Sequence, residues 1–278
     1  MTLNSSRLVV YEDPAYMYYN GERKSNLFEA TKKPNCIGAM KPHIARKLRS
    51  RLVTYYDMMY DSGQVFREQK KIFHPIITMT LPVPQEEDDN TIKREVLMRF
   101  LEKMKEKYET KMQYWVAEPQ KNENIHFHIL TDRFIEHRWA RSYWNVRCES
   151  LGMITAFELK HGHRDAPTEQ VARIRSLSNS AKYVTAYTTK IEDSRGIQGR
   201  LHGESDMLKM VKSFTFEPDF GTYNRLEGWS SQGYLHKTVK EGVAVYSGDM
   251  RSLLREQRPK FYQKWREFNR LQAKQLYA

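Results

Sequence analysis

Cysteine is nearly absent from the 278 residues: Cys36 and Cys148 stand far apart and outside any CxxC pair, which excludes a disulfide framework and a zinc finger. Long apolar runs are missing too. No stretch approaches the roughly 18 consecutive apolar residues of a spanning helix, and the opening Met1-Thr2-Leu3-Asn4-Ser5-Ser6-Arg7 lacks a signal-peptide core. These absences lead to the expectation of an intracellular protein with no membrane partner. There is no internal repeat, no long low-complexity linker, and no GxxxxGKS or GxxxxGKT phosphate loop of a helicase-like motor. Acidic charge is in deficit: 34 acidic against 46 basic residues give a formal charge of +12 and a pI near 9.5. A polyanionic partner is favoured, most simply nucleic acid. The 40% hydrophobic content is enough for a substantial core.

Two short stretches carry the chemistry. In Ile125-His126-Phe127-His128-Ile129-Leu130 histidines alternate with apolar residues, and because strand side chains have period two, His126 and His128 share one face while Ile125, Phe127 and Ile129 share the other. One face binds and the other packs. In Tyr183-Val184-Thr185-Ala186-Tyr187-Thr188-Thr189-Lys190, the two tyrosines and the lysine stand at i, i+4 and i+7, one stripe of an α-helix. Asn179 or Ser180 caps that helix, which ends before Ser194-Arg195-Gly196. A buried apolar stripe does not normally end in a cation, which sets Lys190 apart from simple packing.

The strand Met112 to Ala117 ends at Glu118, and the polar turn Pro119 to Asn124 leads straight into the histidine strand. Glu118 and His126 can then lie side by side across a hairpin. With His128 they make a three-ligand, open metal site whose two imidazoles and one carboxylate suit Mg²⁺, Mn²⁺ or Zn²⁺.

Elsewhere, Arg7 to Tyr11 and Tyr16 to Tyr19 read as short strands, and Pro42 to Tyr60 as an amphipathic helix with Ile44, Leu48, Leu52, Tyr55 and Met59 as its apolar stripe. Its basic face is either solvated or in contact with phosphates. Ile72 to Leu81 contains a central strand beginning after Pro75, with Thr78 and Thr80 on a polar face, and Ile92 to Tyr108 is helical. Trp139 and Trp144 belong to a helix with its aromatics in the core. Met153 to Lys160 reads as a strand, His161-Gly162-His163 as a polar break, Thr168 to Leu177 as helical, and Phe214 to Leu226 as a hairpin about Asp219-Phe220-Gly221. From Asp249 onward a basic helical segment has Pro259 at a first helical position and Phe261, Trp265 and Phe268 as its stripe, leaving Lys264, Arg266, Arg270 and Lys274 to solvent or DNA. The expected division is an N-terminal elaboration over 1–62, a main domain over 63–215 and a C-terminal hairpin and basic helical segment over 216–278.

From about Ile72 to Ser205 the chain resembles the rolling-circle replication initiators of the HUH endonuclease superfamily, in their two-tyrosine phage and plasmid branch. Thr78-Met79-Thr80-Leu81 looks like that family's first motif, His126-Phe127-His128 like its second, and Tyr183 to Lys190 like its third, in the expected order. Glu118-Pro119-Gln120, Trp144-Asn145 and Gly199-Arg200-Leu201-His202-Gly203 also resemble the branch. That last block more commonly carries an aromatic residue where this chain has His202, so the resemblance assigns His202 no role.

The resemblance implies an α+β fold: a central antiparallel sheet with flanking helices, of the ferredoxin-like or RRM-like kind, with helical N- and C-terminal elaborations. It implies a Mg²⁺ or Mn²⁺ ion on Glu118, His126 and His128, attack by Tyr187 or Tyr183 on single-stranded origin DNA, and Lys190 assisting the phenol. The product is a 5′-phosphotyrosyl link with a free 3′-OH for a host polymerase, alongside a host helicase, in the cytoplasm of a bacterial cell. A transposase or relaxase of the same superfamily, or a non-catalytic origin-binding protein, are the alternatives. The intact tyrosines, histidines and carboxylate argue against the last.

Overall fold

The computed structural model describes residues 1–4, 7–11, 42–63, 67–68, 71–72, 74–174, 196–240 and 243–278. The expected segment Tyr16 to Tyr19, Cys36 and the tyrosine stripe lie outside these residues. The described chain is a mixture of helices and two antiparallel five-stranded sheets, the α+β class expected, and no helix in it is long and apolar enough to cross a membrane. It divides into two compact units. One is drawn from both ends, Met1–Lys33, Ser50–Gln64 and Val211–Ala278; the other comprises Pro34–Arg49 and Val65–Met210.

In the second unit the elements run β3 (Arg67–Glu68), β4 (Lys71–Ile72), β5 (His74–Met79), α2 (Asp89–Ile92), a π-wound stretch (Lys93–Met98), α3 (Arg99–Tyr108), β6 (Gln113–Pro119) and β7 (Ile125–Thr131). They continue with α4 (His137–Glu149), α5 (Met153–His161), β8 (Glu169–Ile174), β9 (His202–Glu204) and α6 (Asp206–Met210). The sheet order is β8-β5-β7-β6-β9, which puts the histidine strand β7 in the centre. Alternation along the strands sorts the two faces. Ile77, Met79, Trp115, Ala117, Ile125, Phe127 and Ile129 form a core with Ile92, Val96, Phe100, Met104, Trp144 and Phe157 of the helices. Trp144 anchors it, fully buried, edge-on to Phe100 at 5.4 Å and to Phe127 at 5.9 Å, with its indole N–H donating to the Thr80 carbonyl at 2.7 Å. The opposite face is left to Thr78, Glu118, His126 and His128.

Three sequence expectations are corrected here. Met153 to Lys160 is helix, not strand: Gly152 and Gly162, both left-handed, punctuate its ends, and Met153, Ile154 and Phe157 are its buried residues while Leu159 is exposed. Thr168 to Leu177 is not helical where described, because Glu169–Ile174 pairs with β5 along its whole length. Phe214 to Leu226 is not a hairpin. Phe214–Thr215 (β10) is a short strand, and the Asp219 carboxylate accepts from the Thr222 amide at 2.6 Å to cap the helix Phe220–Ser231 (α7).

The first unit holds β1 (Thr2–Asn4), β2 (Arg7–Tyr11), β10, α7, β11 (His236–Lys240), β12 (Val243–Ser247), α8 (Met250–Gln257) and α9 (Pro259–Tyr277), together with most of α1 (Pro42–Ser62). Its sheet order is β10-β1-β2-β12-β11, so the chain's two ends share one sheet. Leu3, Leu8, Val10, Ala244 and Tyr246 pack against Leu226, Leu253, Leu254, Tyr262 and Trp265. An ionic cluster ties α1 to α8 and α9. The Asp61 carboxylate, fully buried, accepts from Arg251 at 2.7 and 3.1 Å, from Arg266 at 3.3 Å and from Asn269 at 2.8 Å. The Arg251 guanidinium also lies over the rings of Tyr60 and Trp265, 4.7 and 4.9 Å from their centroids. Removing one partner of such a group strands the others' charge, so Asp61→Ala should destabilise this unit by about 3–5 kcal/mol. Urea denaturation checks this, and an unchanged midpoint would show that the cluster contributes nothing.

Candidate metal centre

The site is built on the β6–β7 hairpin. Register pairs Glu118 with His126 and Val116 with His128, so directly opposed side chains emerge on one face. The turn is closed by Gln120 N–H to the Asn124 carbonyl at 2.8 Å and Glu123 N–H to the Gln120 carbonyl at 2.9 Å, with Glu123 in the left-handed region. A strap before α2 clamps the start of the histidine strand. Asn124, buried, accepts from Gln85 N–H at 2.8 Å and donates to the Val83 carbonyl at 2.9 Å, while the Gln85 side-chain oxygen accepts from Ile125 N–H at 2.8 Å. Buried Asp89 extends the clamp, accepting from Gln85 Nε2 at 2.8 Å and from Gln198 N–H at 2.9 Å.

Three donor atoms converge. His126 Nε2 and His128 Nε2 are 3.0 Å apart, and Glu118 Oε2 lies 3.2 Å from His128 Nε2 and 3.5 Å from His126 Nε2. Ligands at roughly 2.1 Å from a metal lie roughly 3.0 Å apart on neighbouring octahedral vertices and roughly 3.4 Å apart on tetrahedral ones. The triad therefore fits a divalent cation as it stands, with the remaining positions open, and it is the one such group of three found among the described residues. His128 is oriented from behind: its Nδ1 is 3.0 Å from Thr78 Oγ1, which makes Nδ1 the protonated nitrogen when Nε2 offers its lone pair. The Nδ1 of His126 is buried and has no hydrogen-bond partner among the described residues.

The electrostatics favour the deprotonated, ligating forms. Burial alone would raise the Glu118 carboxyl, but hydrogen bonds with His126 and His128 outweigh it and hold the group down at about 2. Burial pushes His128 below the usual imidazole value, aided by His126 and opposed by Glu118. Carboxylate and neutral imidazole are what a metal requires.

Thr78 was legible in the sequence only as part of a polar strand face, and Gln85, Asp89 and Asn124 not at all as parts of the site. Thr78→Val, which keeps the shape and removes the hydroxyl, should weaken Mn²⁺ binding about 10- to 100-fold. Titration calorimetry measures it, and an unchanged affinity would mean that packing alone holds the ring. His161 and His163 gather about Phe157, with ring centroids 4.3 and 5.3 Å from it, and are exposed. Tyr183, Tyr187 and Lys190 lie outside the described residues.

Residues 75–192 match a family model described as a replication-associated protein of the ORF2 kind, a span that contains Glu118, His126 and His128 as well as Tyr183, Tyr187 and Lys190. No curated protein and no solved structure matches the chain. The family match supports a replication initiator of the Rep type, with a role in DNA replication.

Proposed function

We propose that the protein is a site-specific, single-stranded DNA endonuclease and strand transferase of the HUH type that starts and ends rolling-circle replication. The observation that carries this reading is the convergence of Glu118, His126 and His128 on one face of a central hairpin, within a span that matches a replication-associated family. These three residues would hold Mg²⁺ or Mn²⁺, which when bound supplies positive charge to the non-bridging oxygens of the scissile phosphate. Tyr187, or Tyr183, attacks phosphorus: the tyrosyl O–P bond forms as the P–O3′ bond breaks, and the 3′ oxygen leaves as a hydroxyl by taking up a proton. A phenol with a pKa near 10 is a weak nucleophile at pH 7, so Lys190 serves by favouring the phenolate or neutralising phosphate charge. The 3′-OH goes to a host polymerase working with a host helicase, in the cytoplasm of a bacterial cell. The second tyrosine cleaves the new copy, and the held 3′-OH then reverses the chemistry to close a circle.

The test is to incubate the protein with Mn²⁺ and single-stranded oligonucleotides tiled across the replicon that encodes it. A covalent adduct on one oligonucleotide, lost on chelation, is expected. No adduct anywhere on the replicon would overturn the reading. A strand joined at a new target, in place of a circle, would reassign the enzyme to transposition.

A further inference from the structure

Strand β9 lies at the edge of the metal-bearing sheet, and its pairing with β6 sets His202 opposite Val116, which is itself opposite His128. Since opposed residues share a face, one row across the sheet reads Gln170, Thr78, His128, Val116, His202. Two imidazoles therefore flank Val116 on the face that carries the triad. The backbones of β7 and β9 are two strand spacings apart, roughly 9–10 Å, and the triad sits over β6 and β7. His202 is thus one strand to the side, and it does not join the triad, whose ligand atoms all lie within 4.8 Å of one another.

Its place is fixed by the neighbouring glycine. A Cβ on Gly203 would come 2.3 Å from Trp115 Nε1, so the indole fills the space a side chain would need, and β9 is drawn tightly against β6. The His202 ring itself is left with chemistry to spare. Its Nδ1 is buried without a hydrogen-bond partner among the described residues, and the hydroxyl of Tyr114, whose ring centroid is 6.2 Å away, is buried and unpartnered in the same way. Burial holds the imidazole below its usual pKa, with Glu204 opposing and Arg200 adding to the shift, so it is neutral at pH 7. A proton on the buried, unpartnered Nδ1 would be an orphaned donor. The proton therefore belongs on Nε2, ready to donate to an acceptor over the sheet. Arg200, exposed and two residues earlier, adds positive charge at the same edge.

We propose that His202, with Arg200 beside it, forms a second phosphate subsite that holds the DNA phosphate next to the scissile one. The acceptor is a non-bridging phosphate oxygen and the donor is His202 Nε2–H. His202 is a substrate-positioning residue in this assignment, which rests on the reading of the triad as a phosphodiester site.

The test needs no origin sequence. Thymidine 3′,5′-bisphosphate carries two phosphates about one nucleoside, as a DNA strand does, and thymidine 5′-monophosphate carries one. In Mn²⁺ the parent protein is expected to bind the bisphosphate about tenfold more tightly than the monophosphate, the return of one charge-assisted hydrogen bond. His202→Phe should bring that ratio close to one while leaving Mn²⁺ affinity and melting temperature unchanged, and His202→Gln, which keeps an N–H donor, should restore part of it. If the parent binds neither nucleotide in Mn²⁺, the phosphodiester reading fails and takes the subsite with it. If both nucleotides bind and the ratio is the same in folded His202→Phe, the subsite alone is overturned.

Discussion

The His126→Ala/His128→Ala protein is expected to lose covalent adduct formation by about 10³-fold or more, because both imidazole ligands of the proposed metal go together and the charge a cation supplies to the scissile phosphate is worth several kcal/mol. Loss of Mn²⁺ binding should accompany it. Affinity for single-stranded DNA should be largely retained, since it rests on basic contacts with phosphates and on counterion release across a chain of formal charge +12. The fold should also tolerate the change. His126 and His128 sit on the face opposite the core formed by Ile125, Phe127 and Ile129, so no packed apolar side chain is removed. Adduct formation on denaturing gels, Mn²⁺ binding by electron paramagnetic resonance and DNA binding by filter retention separate the three quantities. Undiminished adduct formation by the folded double mutant would sink the metal assignment.

The hairpin was legible in the sequence because two local rules agree there. Period-two alternation in Ile125 to Leu130 sorts imidazoles from apolar residues, and a short polar turn after Glu118 brings that carboxylate against His126; the register shows both. What was not legible depends on partners distant in sequence. Glu169–Ile174 becomes a strand by pairing with β5, about which its own charged sequence says little. β1 pairs with β10, and β2 with β12, across most of the chain, so the two ends share a sheet that no local pattern could announce. His202 is the same case at the site: only its pairing with Val116 brings it onto the metal face.

Local signals were also outweighed by stronger local signals. Around Phe220, the Asp-Phe-Gly sequence reads as a turn, but Asp219 is an N-cap for which Thr222 supplies the amide, and the helix follows. In Met153–His161 the apolar residues satisfy two periods at once, and the left-handed glycines at both ends decide for the helix. The block Gly199 to Gly203 gains a physical reason from the structure. Gly199 has φ +73° and faces Asn90 Oδ1, where an added Cβ would come to 2.2 Å, and Gly203 yields its side-chain space to Trp115.

Tyr187→Phe is expected to lose most adduct formation, and Tyr183→Phe to keep the first nick but fail to end a second round. On the helix that their spacing predicts, Tyr183 and Tyr187 share a face but stand about 6 Å apart along the axis. A single metal-bound phosphate can be in line with only one phenol at a time. Tyr187 is the favoured first nucleophile because Lys190 follows it by three residues, within one turn, whereas Tyr183 is two turns from that ammonium. The ammonium can then lower the cost of phenolate at Tyr187 more than at Tyr183. Phenylalanine removes only the hydroxyl and keeps the ring, so loss of the adduct would report chemistry and not packing. The measurement is the rate and yield of protein–oligonucleotide adduct for each single mutant and for the pair, in Mn²⁺, on the oligonucleotide the parent cleaves. If Tyr187→Phe forms the adduct like the parent and Tyr183→Phe does not, the order is reversed. If each single mutant retains it, the phenols are interchangeable, and if the double mutant retains it, the nucleophile lies elsewhere in the chain.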